Sequence, residues 1–133
     1  MKRRKDWMVR LNKVLSRYAQ GVDPETSHCG MLLADSVTAM TGTNPMRSFK
    51  AKTMEGLLEE LDKKGFKDPV SYLASRLEEV PKNFAQVGDF AVFRGTKSLP
   101  AFGVVIGDMA RVIRPDGSPG LMPVDKAKKV YRL

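Results

Sequence analysis

Apolar residues recur at helical spacing in the first part of the chain, and they form short β-type runs in the last part. The spacing predicts a first helix that ends by Gly21. Its apolar face consists of Trp7, Leu11, Val14, Leu15 and Tyr18. A second helix is predicted between a cap at Ser27 and a stop at Gly42. Its apolar face consists of Cys29, Leu32, Leu33, Ser36, Val37 and Met40.

Two further helices have explicit start and stop signals. Thr53 is a predicted cap for a third helix that ends at Gly65, with an apolar face of Met54, Leu57, Leu58 and Leu61. Asp68 followed by Pro69 predicts the start of a fourth helix, because proline favours the first helical position. The apolar face of this fourth helix consists of Val70, Leu73, Ala74 and Leu77.

After Pro81 the pattern predicts four strands, at residues 90–93, 102–106, 111–114 and 129–133. The first two strands are apolar on both faces, which places them at the centre of a sheet. Residues 95–100 and 107–109 suit hairpin connections, and residues 115–117 suit a turn. Helices first and strands afterwards predict a single α+β domain over residues 1–133, with N-terminal helices packed on a small C-terminal antiparallel sheet.

Composition limits the chemistry available to this chain. Its 133 residues are 42% hydrophobic, which is enough for one core, and the apolar runs are far shorter than a membrane span. One cysteine excludes an internal disulfide, and one cysteine with one histidine is too little for a structural zinc site. We therefore expect a soluble protein made in the cytosol, without a membrane span, a metal or a small-molecule cofactor.

The net charge of +8 is concentrated at the two ends of the chain. Residues 1–20 contain seven Lys or Arg against Asp6, and residues 121–133 contain four against Asp125. Such ends can bind nucleic acid, but no helix-turn-helix, aromatic stacking platform or zinc finger accompanies them. The favoured interpretation is a solvated helix face together with a tail that docks on an acidic protein partner, and nucleic acid is a secondary one.

Cys29 and His28, adjacent at the predicted start of the second helix, are the candidate catalytic residues. A thiol at a helix N-terminus is favoured as thiolate by the unpaired N–H groups and the helix dipole, and so becomes a nucleophile. The alternative is that Cys29 is a small buried core residue, since free cysteine is among the most buried residue types. Because Cys29 begins the apolar face of the helix, we expect its side chain to point into the core.

Three segments together resemble the NlpC-type papain-fold cell-wall peptidases. They are residues 28–30 opening a buried helix, residues 88–93 with a Gly-Asp start, and residues 101–107 with the pattern of the base-bearing strand. Residues 41–45, the segment from Arg47 to the helix before Gly65, and residues 88–89 further resemble small uncharacterised relatives from phage tail gene clusters. The resemblance covers about residues 5–133 and implies a papain-like fold.

In this resemblance Cys29 occupies the nucleophile position, but Ala101 stands where the family has its catalytic histidine. His28 is the chain's one histidine, and adjacent helix positions do not face each other, so we expect it to be partly exposed and not to act as the base. Asp89 is expected to be a structural turn residue, and Asp35 lies off the apolar face. A thiol without an imidazole lacks acid-base assistance, which predicts a degenerate domain retained for binding.

The favoured hypothesis is therefore a structural or assembly component of a phage tail tip or baseplate, located in the virion tail tip and in the host cytoplasm during assembly. Its partners would be other tail proteins, docked on the basic first helix and the C-terminal strand. The predicted partner-binding residues are Lys2, Arg3, Arg4, Lys5, Arg10, Lys128 and Arg132. The alternative for these residues is that they only keep the surface soluble. The alternatives are an active cysteine peptidase that uses Cys29 to hydrolyse peptidoglycan, and a nucleic-acid-binding accessory protein.

Overall fold

A computed structural model describes residues 2–25, 27–95 and 101–133, with Cys29 and Met54 described by their backbone only. Within these residues, four α-helices precede all strands of a six-stranded sheet. The helices are α1 (Trp7–Tyr18), α2 (Cys29–Thr41), α3 (Met54–Lys63) and α4 (Pro69–Arg76). The strands are β1 (Glu78–Val80), β2 (Phe90–Phe93), β3 (Ala101–Val105), β4 (Met109–Ile113), β5 (Pro119–Pro123) and β6 (Lys129–Arg132).

The predicted helix ends agree with the structure at all but one position. Gly42 ends α2 with a φ of 84°, a left-handed conformation that favours glycine. Thr53 caps α3 by accepting a hydrogen bond from the Gly56 N–H, and Asp68 caps α4 by accepting one from the Ser71 N–H. The prediction of Ser27 as the cap of α2 is wrong, since His28 is the residue with extended backbone directly before Cys29.

All strands pair antiparallel, in the order β1-β6-β2-β3-β4-β5. The prediction that the first two apolar strands are central is confirmed, because they are β2 and β3. The hairpin at residues 107–109 and the turn at residues 115–117 are also present. The predicted connection over residues 95–100 lies mostly outside the described residues.

Two strands were missed by the sequence pattern, and both form edges of the sheet. β1 is three residues long with two exposed glutamates, and β5 begins and ends with proline and includes Gly120. Neither segment has the β-branched or aromatic composition that predicts a strand. Their pairing with β6 and β4 supplies the hydrogen bonds that their own side chains do not suggest.

The sheet is buried on both faces. On one face, Phe90 and Phe102 pack with Leu33 and Val37 of α2 and with residues of α1 in the main core. On the other face, residues of β2, β3 and β4 pack with the segments around Val80 and Val124 in a second, smaller core. This burial on both sides explains why the central strands are apolar at every position.

β6, the C-terminal strand, lies between β1 and β2, so the hydrogen-bonding groups of its backbone face strands on both sides. The C-terminal strand, which was predicted to be a docking surface, therefore has no free backbone edge for a neighbouring strand. The true edge at the far side is β5. The backbone hydrogen bonds between Arg114 and Ser118 and between Asp108 and Val124 show which residues of β5 bond to β4. Because bonded positions alternate along an antiparallel strand, the backbone groups of residues 119, 121 and 123 face away from β4.

The architecture is α+β, with N-terminal helices on one face of an antiparallel sheet, as the sequence predicted. Over the described residues, no helix combines the length and the apolar content needed to cross a bilayer.

Candidate functional site

The start of α2 carries the two candidate catalytic residues. Cys29 is the first residue of the helix, and the carbonyl of His28 accepts a hydrogen bond from the Met31 N–H at 3.0 Å. Ser27 is not the cap, since it precedes His28, the cap residue, and its N–H donates to the carbonyl of Asp23. The Cys29 side chain, which was expected to point into the core, lies outside the part of the chain that the structure describes.

His28 is buried, with only 5% of its surface exposed. The prediction that it is partly exposed is wrong, because its ring turns away from solvent toward the segment before α3. Its Nε2 lies 3.3 Å from the Ala51 carbonyl oxygen, to which an Nε2–H donates. Its Nδ1 is buried and has no hydrogen-bond partner among the described residues. Burial lowers the pKa of His28, while the Ala51 hydrogen bond and the charge of Glu60 oppose this shift.

Gly30 makes this arrangement possible. A Cβ built on Gly30 would lie 2.9 Å from two atoms of the His28 ring and 3.0 Å from a methyl carbon of Leu57. Real Cβ atoms do not approach other atoms so closely, so the ring and α3 fit against α2 only because residue 30 has no side chain. The motif His28-Cys29-Gly30 therefore has a packing role that is independent of catalysis.

Ala101 lies on the other side of the sheet from α2. It is opposite Phe93 on β2 and packs with the second core, whereas the next residue, Phe102, packs with α2 in the main core. Side chains alternate between the two faces of a strand, so position 101 faces away from the start of α2. The structure thus does not bring Cys29, His28 and Ala101 together as three members of one site.

An apolar cleft of about 50 Å³ lies beside Gly30. It is lined by apolar groups of α2, α3, α4 and the central strands, including Leu33, Leu57, Tyr72 and Phe102. The hydroxyl of Tyr72 donates a hydrogen bond to a backbone carbonyl and is not free to serve a ligand. Such a cleft suits an apolar group, but its lining provides no acid or base for a hydrolytic step.

Asp89 organises two of the arginines that were predicted to bind partners. Its side chain is fully buried. Arg132 donates from Nε and Nη2 to its two carboxylate oxygens, at 2.9 and 2.8 Å, and Arg3 Nη2 lies 3.7 Å from Oδ1. The Gln86 N–H donates to the same carboxylate at 2.8 Å. The two hydrogen bonds to Asp89 hold the guanidinium of Arg132 in the fold, and they raise the pKa of Arg132.

The expected structural role of Asp89 is confirmed. Beyond its place at a turn, Asp89 also contacts two arginines from distant parts of the chain. A charged residue directly before an apolar strand was the sequence signal for this site. The sequence could not show that Arg3 and Arg132, from opposite ends of the chain, share that carboxylate.

Two other predicted partner-binding arginines also contact their own chain. Arg4 donates its backbone N–H to the Met40 carbonyl at 2.7 Å, and its guanidinium packs against Gly42 at the end of α2. Arg10 forms an exposed ion pair with Asp6 at 2.8 Å. A cation at a helix C-terminus is favourable, which explains the position of Arg4.

Lys2, Lys5 and Lys128 are exposed, as expected for residues that bind partners. Lys128 is fixed by its backbone, since its N–H donates to the carbonyl of Val92. The residues predicted to bind partners therefore divide into exposed lysines and arginines that contact groups of their own chain. No group of three or more His, Cys, Asp or Glu suited to a metal ion is present among the described residues.

Comparison with known proteins gives one family. The model described as "Domain of unknown function (DUF6950)" matches residues 2–133. No curated protein matches the chain. Because the match covers nearly the whole chain, the protein belongs to the DUF6950 family of domains of unknown function.

Proposed function

We propose that the protein is a structural or assembly component of a phage tail tip or baseplate, built on a papain-like domain that is not a catalyst. The observation that carries the non-catalytic part is the position of His28, the chain's one imidazole. Its Nε2 is engaged by the Ala51 carbonyl, and its ring lies directly against Gly30, as Leu57 also does. A general base must reach the nucleophile or its substrate, and a ring held this way is committed to packing.

The position of Ala101 supports the same proposal. In the resembled peptidases this strand position supplies the base, but here it faces the second core. Restoring a histidine at residue 101 would place the imidazole on the face of the sheet opposite α2. Position 101 therefore differs from the base position of the resembled peptidases in the face of the sheet that it occupies as well as in its residue type.

The tail assignment rests on the resemblance to relatives from phage tail gene clusters. Its test uses a phage that encodes the protein and two variants of that phage. One variant carries Cys29→Ala, and the other carries a stop codon early in the gene. We expect the protein in purified tails, normal infectivity with Cys29→Ala, and tails that fail to assemble with the stop codon. Absence of the protein from tails would refute the tail assignment.

The competing peptidase predicts that the purified protein digests cell walls and that Cys29→Ala abolishes digestion. The rate at which Cys29 is alkylated, measured at several pH values, distinguishes the non-catalytic proposal from the peptidase independently. The measurement is specific because the chain has no other thiol. A structural cysteine should react slowly or only on unfolding. Rapid reaction with an apparent pKa well below about 8.5 would indicate an activated thiolate and would refute the non-catalytic proposal.

A further inference from the structure

The outward face of α1 carries exposed apolar and basic side chains that are not part of the protein's core. Met8 and Val9 are 50% and 59% exposed. Asn12, Lys13 and Ser16 are exposed on the same face, since residues three, four, seven and eight apart lie together on a helix. The opposite face, which includes Leu11, Val14 and Tyr18, is buried in the main core. We call the exposed set Met8, Val9, Asn12, Lys13 and Ser16, together with the preceding Lys5, the outer α1 face.

The charges near this face divide by residue type. The four arginines of the first twenty residues are held by the fold: Arg3 by Asp89 and Trp7, Arg4 by the end of α2, Arg10 by Asp6 and Arg17 by Asp35. In contrast, Lys2, Lys5 and Lys13 have no carboxylate within ion-pair distance in the described part of the chain. The lysines are thus the uncompensated positive charges of this region.

Asp6, the N-cap residue of α1, does not neutralise the lysines of this face. Its carboxylate pairs with Arg10 at 2.8 Å, and this hydrogen bond lowers the pKa of Asp6. The Trp7 N–H, the first of the helix, donates to the Arg4 carbonyl. Lys5 and Lys13 therefore supply the positive charge that is available to an external carboxylate.

From this geometry we propose that the outer α1 face docks an amphipathic helix of a partner protein, with acidic residues on both sides of an apolar stripe. Met8 and Val9 would enter the apolar stripe, and Lys5 and Lys13 would pair with the flanking carboxylates. The proposal deepens the proposed function and rests on it for the identity of the partner as a tail protein. It also removes Arg3, Arg4 and Arg132 from the docking surface.

A protein partner fits this face better than a membrane does. Helices that lie in a bilayer bury a wide apolar face, whereas the wide apolar face of α1 is already covered by the core. The exposed apolar part consists of two side chains bracketed by lysines. That is the size of a contact made by one helix of a partner.

The test uses the full chain and a fluorescein-labelled synthetic helical peptide with leucines along one stripe and glutamates on either side. Binding is followed by fluorescence anisotropy, and a peptide of the same composition in scrambled order is the control. We expect Met8→Ala/Val9→Ala to weaken binding about tenfold, because the truncations remove apolar surface from the contact. We expect Lys5→Glu/Lys13→Glu to weaken it at least tenfold and to reduce its salt dependence.

The matched control is Lys52→Glu/Lys63→Glu, which changes the net charge by the same amount. Both residues are exposed, and they lie before and within α3, away from the outer α1 face. It should leave the affinity within about twofold. Equal binding of the ordered and scrambled peptides, or loss with the charge variant alone, would overturn the proposal. So would tighter binding to phosphatidylglycerol vesicles or duplex DNA with the same dependence on Lys5 and Lys13.

The proposed function fails separately from this inference. If the peptide binds as expected but purified tails lack the protein, the docking surface stands and the tail assignment falls. If tails contain the protein and the variants bind the peptide normally, the tail assignment stands and the docking surface falls.

Discussion

The carboxylate of Asp89 is fully buried and is compensated by Arg132 and Arg3. Removing the charge leaves two guanidinium groups without their buried partner, which typically costs about 3–5 kcal/mol. We expect Asp89→Asn to lower the free energy of unfolding by about 3 kcal/mol, measured by urea denaturation. Asp108→Asn is the matched control, because Asp108 is exposed. Equal small effects of the two variants would contradict this assignment.

His28 predicts a pH dependence of stability. Burial lowers its pKa in the folded state, so the unfolded chain binds more protons below the ordinary value of about 6.5. Stability should therefore be full above about pH 6.5 and fall as the pH drops from there toward the folded pKa. The loss can reach about 1.4 kcal/mol per pH unit, and urea unfolding at pH 7.5, 6.5 and 5.5 measures it.

The control for this dependence is His28→Asn, which lacks the titrating ring but retains a good cap residue. Its unfolding free energy should be nearly flat between pH 7.5 and 5.5. The lowered pKa values of Asp6, Asp68 and Asp116 do not interfere, because carboxylates of that kind lose their contribution only below about pH 4. A slope that persists in His28→Asn would show that another group titrates.

At the scale of elements, the start of α4 offers a direct test of capping. The Asp68 carboxylate accepts hydrogen bonds from the N–H and the hydroxyl of Ser71, at 2.8 and 2.9 Å. We expect Asp68→Ala to cost about 1 kcal/mol, a usual value for loss of an N-cap. Asp62→Ala, on the exposed side of α3, makes the same chemical change without a cap and should cost much less. Thermal unfolding of both variants measures the difference.

The packing of α2 against α3 depends on Gly30. Gly30→Ala would force a Cβ into the His28 ring and Leu57, and overpacking of this kind costs about 1–3 kcal/mol. In a His28→Ala background the same substitution should cost clearly less, since the ring atoms are gone. A double-mutant cycle by urea denaturation measures this coupling. Independent, additive effects would rule out the contact as the reason for glycine.

The elements that the sequence predicted are those whose own residues specify them. Gly42, Thr53 and Asp68 define helix ends through local backbone and capping chemistry, and the apolar runs define β2 and β3. β1 and β5 could not be predicted, because their strand conformation comes from pairing with β6 and β4. The cap of α2 was misplaced by one residue, because the cap is His28, a residue whose extended backbone and not its side chain defines the helix start.

At the scale of the whole molecule, the sequence indicated the chemistry of the candidate site better than its arrangement. It showed a thiol at a predicted helix start and a single imidazole. It could not show that His28 turns to Ala51, or that position 101 faces the second core, since both depend on how α3 and the sheet pack. The basic ends are a similar case, because Arg3, Arg4, Arg17 and Arg132 contact carboxylates or a helix end distant in sequence.

β5 closes one side of the sheet to other chains. Pro119 and Pro123 have no N–H, so of the outward positions only residue 121 can donate, and the Pro119 carbonyl already accepts a hydrogen bond from Arg114. A neighbouring copy that approaches this edge finds almost no backbone donors to pair with. The domain can therefore be held at high local concentration, as in a crowded assembly, without its sheets pairing edge to edge through β5 into a continuous fibre.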